Sequence, residues 1–117
     1  MDKDKRFELE IYNALRELLI PAHLKGYEYL KAALRYVRQN PDSIYAMTSD
    51  LYPSVGDMYS VDGSNVEKAI RGAINKSKAT DEGWYKVLGR TGPMSNSEFL
   101  ATLSEAIRVR MALEGEE

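Results

Sequence analysis

Between residues 64 and 78 the chain sets charged and hydrogen-bonding side chains at helical spacing. Arg71 suits the paired acceptors of guanine, Asn65 matches adenine, and Glu67 can accept from the amino group of cytosine. Lys68 adds a second cation beside Arg71, Ser64 adds a hydroxyl, and Lys76 and Lys78 suit phosphate oxygens. Val66, Ala69, Ile70, Ala73 and Ile74 stand at i, i+3, i+4, i+7 and i+8, so they form one buried stripe. Asn65, Glu67, Lys68, Arg71, Asn75 and Lys78 then face outward. Any solvated helix carries a polar face, so what precedes the helix must decide between plain solvation and recognition.

What precedes it has the form of a helix-turn-helix. In the window 52–71, counted from Tyr52, apolar residues fall at the fourth, eighth, tenth, fifteenth and eighteenth places: Val55, Tyr59, Val61, Val66 and Ala69. The fifth place, where two crossing helices approach most closely, must be small, and Gly56 stands there. Ser60 and Val61 turn the chain, and residues 62–64 suit the start of a second helix. With that turn in front, the polar face reads as a recognition surface for double-stranded DNA.

Composition limits the alternatives. With 117 residues and a 44% hydrophobic share, the chain is expected to form one packed domain, residues 1–117, rather than a disordered segment. It holds no cysteine, which removes disulfides, thiol nucleophiles and thiolate metal sites and fits a reducing cytoplasm. No apolar run reaches membrane-spanning length, and the charged start 1–6 leads into an amphipathic helix rather than a signal peptide. The net charge of −2 does not advertise nucleic acid, but its distribution is uneven. Residues 63–78 hold four basic side chains against Glu67, a local +3, whereas residues 95–117 hold five glutamates against two arginines, a local −3.

Enzyme chemistry finds little support. His23, the only histidine, sits in a connector after Pro21, and no nucleophile motif accompanies it. Gly89-Arg90-Thr91-Gly92 lacks the strand and lysine that give a phosphate loop its meaning. Glu114, Glu116 and Glu117 could attract a cation, but read more plainly as a frayed acidic tail. No catalytic residue, cofactor or metal site is expected.

The supporting elements are all helical. Residues 4–19 form an amphipathic helix through Phe7, Ile11, Ala14, Leu15 and Leu18, ended by Pro21. A second helix, 26–38, turns Tyr27, Leu30, Leu34 and Val37 inward, and Asn40-Pro41-Asp42 stops it. A short helix, 43–49, buries Ile44 and Met47. The helix-turn-helix follows, with Pro53 in the first turn of its leading helix and a second helix reaching residue 78. Trp84, Tyr85 and Leu88 lie on a short helix closed by Gly89, and residues 90–94 form a loop. Ser95 and Glu98 make a capping box before a final helix that buries Phe99, Leu103, Ile107 and either Met111 or Val109. The eight tyrosines read as the edge of the core. The fold class is all-α, a compact bundle of about six or seven helices containing a helix-turn-helix.

Pro21-Ala22-His23-Leu24-Lys25-Gly26-Tyr27 with Tyr29-Leu30, then Leu51-Tyr52-Pro53, then Val66-Glu67-Lys68-Ala69-Ile70-Arg71, then Asn96-Ser97-Glu98-Phe99 stand in one order. Together they resemble the C-terminal effector domain of the master response regulators of sporulation initiation, over nearly the whole chain. The resemblance implies an all-helical transcription factor that binds a short DNA box, often as tandem copies. By position it implies a recognition helix over 64–78, a base-reading glutamate at Glu67 and a base-reading arginine at Arg71. The family's other base-reading arginine is Lys68 here, which keeps the charge but loses the planar two-pronged donor. A usually basic position is Asn65, and a histidine is Gly72.

The stretch 79–88 resembles the part that touches the RNA polymerase sigma factor, making Trp84 and Tyr85 candidates, although burial is the ordinary fate of a tryptophan. The family's full-length protein also carries a phosphorylated receiver domain. This sequence starts just before the effector's first helix, as a fragment or a stand-alone protein would. A second reading keeps the fold but gives up DNA, leaving a protein-interaction module that pairs with another regulator or with polymerase.

Overall fold

Residues 1–92 and 94–115 are described by a computed structural model. Among them stand six α-helices and no strand: α1 (Lys3–Glu17), α2 (Lys25–Gln39), α3 (Tyr52–Tyr59), α4 (Gly63–Asn75), α5 (Asp81–Leu88) and α6 (Asn96–Leu113). One continuous buried core runs through all six. None of the described helices is long and apolar enough to cross a membrane.

α1 starts where the Asp2 carboxylate accepts the Lys5 amide at 2.8 Å, and it buries Phe7, Ile11, Ala14 and Leu15. It ends before Pro21 can act. Leu19 turns left-handed (φ 51), and the amides of Leu19 and Ile20 fold back onto the carbonyls of Arg16 and Leu15 at 3.0 and 3.1 Å. That double closure stops a helix by itself, although a glycine usually provides it.

α2 turns Tyr27, Leu30, Leu34 and Val37 inward as the spacing predicts, and it also buries Tyr29, Ala32 and Ala33. The extra burial follows from its central place, with α3, α4 and α6 all packed against it. The short helix expected over 43–49 is instead two tight turns, a 3₁₀ turn at Pro41–Tyr45 and a π-helical turn at Met47–Leu51 that leads into α3. Here tertiary bonding wins over local pattern: one oxygen of Asp50 accepts both the Tyr36 hydroxyl at 2.6 Å and the Ser54 hydroxyl at 3.2 Å. Ile44 and Met47, expected to be buried, are only partly so.

α5 starts with the Thr80 hydroxyl accepting the Gly83 amide at 3.2 Å and closes at Gly89 (φ 73). α6 opens with the expected capping box, in which Ser95 accepts the Glu98 amide and Glu98 accepts the Ser95 amide, both at 3.2 Å. Those bonds from Ser95 hold the Glu98 carboxyl below its ordinary range. Phe99, Leu100, Leu103, Ile107 and Met111 are fully enclosed, whereas Val109 lies in solvent. Each such side chain contributes about 1.5–3 kcal/mol of burial. Glu114, the first residue of the tail expected to fray, forms an ion pair with Arg6. Glu116 and Glu117 lie outside the described residues, as does Pro93 of the expected loop. The tyrosines divide: Tyr27, Tyr29 and Tyr52 are buried and Tyr36 is half-buried, but Tyr12, Tyr45, Tyr59 and Tyr85 are exposed.

Candidate nucleic-acid interface

α3 passes the chain to α4 through Ser60, Val61 and Asp62. Ser60 is left-handed (φ 57), and the Val61 amide donates back to the Gly56 carbonyl at 3.0 Å. A Cβ on Gly56 would lie 2.4 Å from the Val61 carbonyl oxygen. The small fifth position is therefore required by the backbone of the turn itself. Val55 and Val66 are fully enclosed, and Val61 and Ala69 pack partly buried at the core's edge. Tyr59, expected inward, is exposed, with its ring against that of Tyr29 at 5.0 Å between centroids.

α4 buries Val66, Ile70, Ala73 and Ile74. Ser64, Asn65, Lys68 and Arg71 are exposed, and Glu67 is half-buried. Ser64, Lys68, Arg71 and Asn75 stand at i, i+4, i+7 and i+11, so they follow one line along the helix. Asp62 occupies the position before the helix, and its side chain makes no capping hydrogen bond to the first turn.

The helix stops at Asn75, three residues short of the predicted end. The Ser77 hydroxyl donates to the Leu18 carbonyl, and the Lys78 amide donates to that of Leu19 at 3.4 Å. The segment after α4 thus satisfies the unpaired carbonyls at the end of α1. Lys76 closes α4 and Lys78 lies beyond it, both exposed. Among the described residues no ion pair engages Lys68, Lys76 or Lys78, whereas Arg71 pairs with Glu67 one turn earlier at 3.0 Å.

A residue from outside the helix pair joins this cluster. Asn96, the first residue of α6, is buried, and its amide nitrogen donates to the Tyr52 hydroxyl and the Glu67 backbone carbonyl, both at 3.0 Å. Burial pushes the Tyr52 phenol up, with the Asn96 bond opposing. Asn96 entered the sequence reading only as part of a resemblance. No local pattern ties it to a helix 29 residues away.

Gly72 is the counterpart of Gly56. A Cβ there would meet nothing within 4 Å, so the glycine only weakens the helix. Gly72→Ala is expected to raise stability by about 0.5–1 kcal/mol. The check is an increased urea midpoint at unchanged slope, and a lower midpoint would contradict it.

On α5, Trp84 is half-buried with its ring edge-on to Phe99 at 6.0 Å, whereas Tyr85 is 64% exposed. Of that pair, only Tyr85 is largely free to meet a partner. Of the five glutamates in 95–117, Glu98 pairs with Arg90, Glu105 with Arg108 and Glu114 with Arg6 of α1.

Two helices joined through a left-handed residue, the second buried along one side and lined with basic and amide groups along the other, define a helix-turn-helix domain. Residues 11–107 match the family described as sporulation initiation factor Spo0A C terminal. That span is most of the molecule, and the chain belongs to this family. In general terms it is a DNA-binding effector domain of sporulation initiation.

Proposed function

We propose that the protein is a sequence-specific regulator of transcription that binds double-stranded DNA with α4 in the major groove. Glu67, Lys68 and Arg71 meet base edges, with Ser64 and Asn65 beside them, while Lys76 and Lys78 hold phosphates. The observation that carries this reading is the exposure of Lys68 and Arg71, one helical turn apart, opposite the buried stripe of α4. Two copies bind adjacent boxes as a tandem homodimer, and the exposed Tyr85 suits contact with an RNA polymerase sigma factor.

Selection of bound duplexes from a random pool at moderate salt tests the reading. A short enriched box is expected. No enrichment, together with stable co-purification of another regulator or polymerase, would favour a protein-interaction module instead.

A further inference from the structure

We propose that Asn96 is a positioning residue for base reading, holding Glu67 and through it the Arg71 guanidinium in the geometry that meets DNA. This rests on the reading of α4 as the base-reading helix. The Asn96 amide nitrogen has two protons and three acceptors in reach: the Tyr52 hydroxyl and the Glu67 carbonyl, each at 3.0 Å, and the Glu67 carboxylate at 3.5 Å. The same carboxylate accepts from Arg71, through Oε2 at 3.0 Å and Oε1 at 3.3 Å. An ion pair one turn apart on an exposed helix is by itself loosely held.

Here the inner end of that pair rests on an amide that is 8% exposed and fixed by the start of α6, beside the Ser95–Glu98 capping box. Asn96 therefore joins three helices at the base of the pair: α3 through Tyr52, α4 through Glu67, and its own. The bond to the Glu67 carbonyl is not needed to satisfy that carbonyl, which the helix ladder already serves. It sets where α4, and with it the Glu67 backbone, sits against α6, and the carboxylate at 3.5 Å shares a proton with one of the two nearer acceptors. A guanidinium oriented before binding has less freedom to lose on DNA. Sequence preference therefore depends on a residue that touches no base.

Three proteins test this: the intact chain, Asn96→Ala and Asn96→Asp. Each is titrated with the selected duplex, with its single-base-pair variants and with a random duplex. Asn96→Ala should lose about three- to tenfold in discrimination at the base pairs facing Glu67 and Arg71, the worth of one hydrogen bond, with random-duplex affinity unchanged. Asn96→Asp keeps the shape and favours a helix start, but it turns negative oxygens toward Glu67, and should lose at least as much. In the unsubstituted protein, nuclear Overhauser contacts from the Asn96 amide protons to the Glu67 methylenes and the Tyr52 ring are expected. Their absence overturns the proposal even if the variants fold poorly.

Variants that discriminate like the intact chain also overturn it, as does an equal loss on selected and random duplexes, which marks a merely structural role. An intact chain that selects no sequence sinks the reading of α4 and this inference with it. Selection that survives in the Asn96 variants sinks this inference alone.

Discussion

Gly26→Ala is expected to destabilise the protein by roughly 3 kcal/mol or more, as an overpacked site does when the clash is with backbone. A Cβ at residue 26 would lie 2.1 Å from the Ala69 carbonyl oxygen, 2.7 Å from its carbon and 2.8 Å from the Ala73 Cβ. No rotamer change relieves an overlap with a main-chain carbonyl, so α2 must move away from α4. That movement opens the packing of α2 on α4 at Ala69 and Ala73, and it shifts the helix that carries Lys68 and Arg71. Urea unfolding measures the effect. A midpoint lowered at unchanged slope is the expected result, and a loss below about 1 kcal/mol would show that the helices part easily.

Duplex affinity is expected to fall by about two to three powers of ten between 50 and 200 mM salt. With about four to six phosphates neutralised, the slope of log affinity against log salt is about −4 to −5, because each contact releases a condensed counterion. The positive charge needed for this stands on α4 and just after it: Lys68, Lys76 and Lys78 engage in no ion pair among the described residues, whereas Glu98, Glu105 and Glu114 are each paired with an arginine. The net charge of −2 therefore understates the pull of this face on DNA. Titrations at four salt concentrations give the slope. An affinity indifferent to salt would remove phosphate contact from the account.

What could be read in the sequence was what neighbouring residues decide. The stripe of α4, the proline opening α3, the capping box of α6 and the glycine closing α5 each depend on side chains within a turn or two. The small fifth position at Gly56 was legible because a turn demands it. Gly26 was not: its need for smallness comes from Ala69, 43 residues on in the chain, and locally it looks like the end of a connector. The end of α4 moved back to Asn75 because Ser77 and Lys78 bond to carbonyls of α1. Leu19 in a left-handed conformation is invisible to a reading that expects glycine there. Asn96 and the Arg6–Glu114 pair escaped for the same reason, since contacts between distant helices leave no periodic trace. The outward side of α4 was legible and the side chain supporting it from α6 was not.

Arg71 is expected to read one base pair, and a single titration series decides whether it does. The selected duplex and a panel changing each of its base pairs in turn are titrated with the intact chain and with Arg71→Ala. A loss of about 1–3 kcal/mol on the selected duplex is expected, with preference relaxed at one base pair and kept at the others. If Arg71→Ala keeps the full preference at every position, or weakens all duplexes alike, the arginine is not a reader and the account of α4 is wrong.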